Sequence, residues 1–193
     1  MLSFKDKNQI TKLLQNADNA EETKRLTSYF SQLQKERCPF YLTLDELQEI
    51  LKWKLRRQFH RQKTKRESNT NENVIAITKA AFSITHSDKD FETSLKLKLL
   101  CTLTGVEVPV ASAILTLCFP TEYSVIDFRN WRQIYKDDKP RTTYSIKEYL
   151  TYLKTIKQCA REFEVTPQEI DIAIWQSDIE QRQKTNAQQK YLQ

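Results

Sequence analysis

The residues of this sequence whose types and spacing could do chemistry concentrate in one stretch, Leu99–Tyr135 (LLCTLTGVEVPVASAILTLCFPTEYSVIDFRNWRQIY). Gly105 is the only glycine in the chain. The pattern predicts a helix ending at Gly105, a short turn, and a new helix from Pro109. The small residues Ala111, Ser112 and Ala113 would let those two helices approach closely. Pro120 then breaks the chain, and an extended piece, Tyr123–Ile126, delivers Asp127 to the start of a helix over Phe128–Tyr135. A carboxylate at such a point can stabilise a developing positive charge or position a water for attack. It can equally be an N-cap that accepts the first N–H groups of its own helix. Both readings are open.

A second cluster offers charge. From Lys52 to Arg66 (KWKLRRQFHRQKTKR) there are eight Lys/Arg, one His and no acid, within a chain of formal net charge +6. Such a stripe supplies sequence-independent attraction to phosphates, with Lys52, Lys54, Arg56, Arg57 and Arg61 as candidate contacts. The alternative is a solvated helix end running into a loop. Arg129 and Arg132, on the helix after Asp127, either meet phosphate or point to solvent. Trp53, Tyr123 and Trp131 are candidates to stack on a base, against the alternative that they are core. His60 and His86 stand apart from any Cys/His cluster, and Cys38, Cys101, Cys118 and Cys159 form no CxxC pair. The expectation is therefore reduced thiols, no metal site and no cofactor.

The elements that must position these groups are helices. A single glycine in 193 residues nearly excludes a β-rich fold, whose tight turns need residues comfortable at positive φ. Leu44, Leu47, Ile50, Leu51 and Leu55 share one helical face, opened by Thr43 and Glu46 as a capping box. Val74, Ile77, Ala81 and Ile84 make another, and Phe91, Leu95, Leu99 and Leu103 follow at steps of four. Val110, Ala113, Ile114, Leu117 and Cys118 form the face of the helix after the turn. A long helix from Ile146 to Phe163 is capped by Ser145 and Glu148, and Thr166, Pro167 and Glu169 begin the last one. Two weaker helices, around Ile10–Ala17 and Glu21–Gln34, are expected to dock on the core, and the polar tail 181–193 to fray. The expected fold is an all-α orthogonal bundle of about seven to nine helices, a single domain (1–193) that could form two lobes.

Residues 95–135 resemble the core of the helix-hairpin-helix DNA glycosylase superfamily. Leu103-Thr104-Gly105-Val106-Glu107-Val108-Pro109-Val110-Ala111 is similar to the Leu-Pro-Gly-Val-Gly-Arg-Lys-Thr-Ala hairpin of endonuclease III and its relatives. Val125-Ile126-Asp127 resembles the segment bearing the family's catalytic aspartate, at the family's own spacing of 18 residues from the position of Pro109. Arg132 falls where those enzymes carry an arginine. The stretch also resembles a divergent bacterial branch of the 8-oxoguanine glycosylase fold, with a Gly-Val-Gly-Val-Pro-Val-Ala-Ser-Ala-Ile-Leu hairpin and an Asp-x-Arg-x-Trp helix.

The resemblance implies Asp127 as catalytic residue and a hairpin, Gly105 and Val106, that presents backbone N–H groups to a phosphate of double-stranded DNA. In that family a monovalent cation often sits at the hairpin carbonyls. Two departures shape the expectation. The hairpin lysine that forms a Schiff base in glycosylase/lyases is Pro109 here, so hydrolysis of the N-glycosidic bond without lyase chemistry is expected. The second hairpin glycine is Glu107, whose carboxylate repels phosphate unless it swings away or helps hold a cation. The alternative function is a non-catalytic nucleic-acid-binding module, or a protein-interaction protein, that retains the fold. The longest weakly polar run, Val108–Phe119, is too short to span a bilayer, and the N-terminus lacks the apolar stretch of a signal peptide. A cytoplasmic protein is the corresponding expectation.

Overall fold

The computed structural model describes residues 4–17, 20–62 and 66–190, excluding the side chains of residues 61, 62 and 186–190. The described residues form nine α-helices, one 3₁₀ segment and no strand, the all-α bundle expected. In chain order the helices are α1 (Lys7–Gln15), α2 (Ala20–Glu36), α3 (Leu44–Leu55), α4 (Asn71–Ser83), α5 (Lys89–Leu100), α6 (Val108–Cys118), α7 (Phe128–Tyr135), α8 (Ile146–Phe163) and α9 (Pro167–Lys190). The 3₁₀ segment, Arg56–Gln62, continues directly from α3. No helix among the described residues is long and apolar enough to cross a membrane.

Local sequence starts most of these helices. Asp6, Thr43, Thr70, Asp88, Asp127 and Ser145 each accept an N–H of the first turn, and Thr43/Glu46 and Ser145/Glu148 close full capping boxes. The centre of the bundle is α6, in which every residue but Pro109 is buried. It packs against α2, α3 and α5, while α9 gathers α1, α7 and α8. One continuous apolar core joins the two groups. Ser112 shows why a small residue is needed on α6. Its Oγ accepts the Ile126 N–H at 3.1 Å and donates to the Pro109 carbonyl at 2.9 Å, tying the segment before Asp127 to the hairpin helix.

Three expectations are corrected. The helix before the hairpin ends at Leu100 with Cys101 as its C-cap, not at the glycine. Gly105 instead supplies the positive φ of 79° that the hairpin turn requires. The tail is not frayed over its first ten residues, since α9 runs on to Lys190.

The third correction is the face of α5. It buries Glu92, Thr93, Lys96, Leu97 and Leu100, while Phe91 is 48% exposed. Polar residues take the inner face because they neutralise each other. Glu92 accepts from Lys96 Nζ and Lys89 Nζ, both at 2.7 Å, and from the His86 N–H at 3.0 Å. Burial alone would raise the Glu92 carboxyl, but these bonds outweigh it and bring it down to about 2. A depressed carboxyl stabilises the fold above the ordinary value of 4.5 and loses that contribution as pH falls toward 2. Glu92→Gln is therefore expected to destabilise the protein by about 2 kcal/mol at neutral pH. It should also flatten the acid limb of stability below pH 4.5, as read by urea unfolding at stepped pH. An unchanged acid limb would refute the assignment.

Candidate active-site cleft

A cleft of about 680 Å³ opens between the α3–3₁₀ junction on one side and α7, α9 and the loop before α8 on the other. Its size lies within the ~300–1,000 Å³ typical of ligand pockets. Asp127 lines it from the N-terminus of α7. Oδ1 is committed to the cap, accepting the N–H groups of Arg129 and Asn130 at 2.9 Å each. Oδ2 makes no such bond; it stands 4.0 Å from Lys54 Nζ, in a side chain that remains 23% exposed. The two readings of Asp127 are thus divided between its two oxygens: one caps, the other is left for the cleft.

Lys54, near the end of α3, lines the same cleft with its stem buried. Its ammonium has only long contacts, 4.0 Å to Asp127 and 3.4 Å to the Ile126 carbonyl. Burial pulls it below the ordinary lysine range, with Asp127 and Asp171 pulling partly back. Asp171, on α9, accepts the Val125 N–H at 2.7 Å and fixes the extended segment that carries Asp127. Burial pushes its carboxyl well above the usual carboxylate range. Asn130 donates through Nδ2 to the Val125 and Asp171 carbonyls and to Tyr152 Oη, leaving Oδ1 buried without a partner.

The basic stripe divides. Arg56 and Arg57 are exposed and form one lip of the cleft. Lys52 points elsewhere and pairs with Glu49 at 2.8 Å. The side chain of Arg61 lies outside the described residues. Arg56 has φ 46° and ψ −121°, a left-handed backbone that costs a non-glycine residue about 1–3 kcal/mol. Arg129 lines the cleft, but its charge is matched by Asp178 at 2.7 Å. Arg132 does not line it and does not point freely to solvent: it is nearly buried and bonded to Asp178 and, at 3.6 Å, to Asp138.

Of the expected stacking residues, only Trp53 touches the cleft, and it is mostly buried with Nε1 bonded to Thr23 Oγ1 at 3.0 Å. Tyr123 is buried beside Lys96, away from the cleft. Trp131 is core, packed on Tyr135 and Tyr144 with centroids 4.2 and 5.3 Å away and covered by Arg141. In the hairpin, the Val106 side chain is buried and its N–H is used by the Leu103 carbonyl at 3.0 Å, which removes that donor from a phosphate. Gly105 serves the turn, and Glu107 is exposed with no capping bond.

Among the cleft residues that sequence reasoning missed are Phe128, Asn130, Arg141, Tyr144, Asp171 and Trp175. Asp171 had a signal, an acid inside the apolar run Ile170–Ile174, as buried paired acids do. Trp175 sits at the end of that run, and nothing in its spacing distinguishes a cleft residue from a core one. Tyr144 is buried, its hydroxyl pushed up to about 12 by burial and then by the Asp127 charge, and its Oη has no partner. Among the described residues, no group of three or more His, Cys, Asp or Glu could hold a metal ion, and the four cysteines are free. In comparison with known proteins, the chain matches no family model, no curated protein and no solved structure.

Proposed function

We propose that this protein is a DNA glycosylase-like enzyme of monofunctional type, hydrolysing the N-glycosidic bond of a base held outside the stack. The observation that carries the reading is the division of labour at Asp127. Oδ1 is locked by the helix, and Oδ2 is left beside Lys54 in a cleft whose lip is Arg56 and Arg57. The Oδ2 side of the carboxylate would stabilise positive charge growing on the sugar, or accept a proton from the water that attacks C1′, as the base departs. Lys54 and Asp171 act as positioning residues: one faces Oδ2, the other holds the backbone two residues before Asp127. Pro109 lines the cleft where an amine would be needed for hairpin-based lyase chemistry, which favours water as the nucleophile.

The second reading, a nucleic-acid-binding module without catalysis, is favoured by the engagement of Oδ1 as an N-cap. One experiment separates them. Oligonucleotides carrying a panel of damaged bases are incubated with the protein and treated with alkali. Strand breaks at the lesion support the enzyme; binding to every probe without breaks supports the module; absence of binding removes both. Arg56→Ala and Arg57→Ala are each expected to lower the slope of log affinity against log salt by about 1, uniformly across sequences. An unchanged slope in both variants would take the lip out of the interface.

A further inference from the structure

Four contacts run in series, the last three of them among residues that line the cleft. The Arg132 guanidinium lies 5.7 Å from the Phe128 ring centre, the Arg129 guanidinium 5.2 Å from Phe128 and 5.8 Å from Trp175, and the Arg56 guanidinium 5.0 Å from Trp175. Cations and aromatic rings therefore alternate in the order Arg132, Phe128, Arg129, Trp175, Arg56. Folding alone does not account for this row. Phe128 is 44% exposed, one of three large hydrophobic side chains left so among the described residues, and Arg56 occupies a backbone conformation that glycine would prefer.

The charges of the row are unequal. Arg129 and Arg132 are both held by Asp178, which is 1% exposed, so they offer fixed guanidinium planes whose charge this one carboxylate partly offsets. Arg56 and Arg57 form no ion pair among the described residues. The cleft-lining guanidiniums with no carboxylate partner among the described residues thus stand on one lip. The hairpin, two residues along from cleft-lining Pro109, carries an exposed Glu107 and a Val106 N–H already used. A duplex presents two phosphate tracks, and a carboxylate repels the second. Two cleft-lining residues also carry buried side-chain atoms without a partner, Tyr144 Oη and Asn130 Oδ1.

We propose that the cleft binds a single nucleic-acid strand, its phosphates on Arg56 and Arg57 and its unpaired bases stacked on Phe128 and Trp175. This rests on the reading of the chain as a base-excising or nucleic-acid-binding protein, and it replaces a flipped base in a duplex by a base already unpaired. Aromatic platforms interleaved with cations are how proteins track single strands, since every base has a π-face.

The test is fluorescence anisotropy with a labelled mixed-sequence oligodeoxynucleotide, single-stranded and as its duplex, at fixed salt. The single strand is expected to bind at least about tenfold more tightly. Phe128→Ala and Trp175→Ala should each weaken single-strand binding by about tenfold, the change expected from one lost base–aromatic stack, and leave duplex binding unchanged. Trp175→Phe should keep most of the affinity, and thermal melts of all variants identify any that fail to fold. A 2-aminopurine probe should lose emission on binding to the parent and lose less with Trp175→Ala. Duplex binding equal to or tighter than single-strand binding, or single-strand affinity indifferent to both alanine variants, would overturn this inference while leaving the proposed function standing. Failure to bind either probe would overturn both.

Discussion

Asp127→Asn is expected to lower base release by about 10²–10⁴-fold, the range for loss of a group that handles a proton or charge in the transition state. The fold should remain nearly unchanged. Asparagine keeps a side-chain oxygen at the position of Oδ1, so the Arg129 and Asn130 N–H groups retain their acceptor. What it removes is the charge of Oδ2, the oxygen that caps nothing and faces Lys54 across 4.0 Å. Asp127→Ala should lose both roles and cost about 1 kcal/mol of stability in addition. Single-turnover release of the base, measured beside a thermal melt, separates the two. Equal activity in parent and Asp127→Asn would reduce Asp127 to a cap and remove the catalytic reading.

Asp178→Ala is expected to be the most destabilising of the substitutions considered, at about 3 kcal/mol, corresponding to a fall in Tm of roughly 10 °C for a chain of this size. Asp178 is 1% exposed and is the common acceptor of Arg129 Nη1 at 2.7 Å, Gln133 Nε2 at 2.8 Å and Arg132 Nη2, with Arg182 Nε 3.6 Å away. Burial works to raise its carboxyl, but the bonds from Arg132, Gln133 and Arg129 outweigh it and keep the group below the usual range. Alanine would leave Arg132, nearly buried, with only the 3.6 Å contact to exposed Asp138. The large cost therefore comes from the cations left behind more than from the bonds removed. A Tm within about 2 °C of the parent would show that the arginines find other partners.

What the sequence determined by itself was local. Caps such as Thr43/Glu46 and Ser145/Glu148 act within one turn of chain, and the apolar period of α6 needs no partner to be read. Asp127 at the start of a helix was legible for the same reason, since an N-cap and the helix it starts are neighbours in the chain. The face of α5 was not, because whether Lys96 is inside depends on Glu92 meeting it and on what packs above them.

The cleft was the part only tertiary structure decided. Lys54 lies 73 residues before Asp127 and Asp171 lies 44 after it, and no spacing rule connects them. Charge was the other limit of the sequence. Arg129 and Arg132 look alike beside Arg56, yet a buried carboxylate on α9 holds the first pair and partly offsets their charge, while the third faces the cleft without an acid. A sequence shows which residues carry charge; which of those charges reach a ligand depends on the acids the fold places against them.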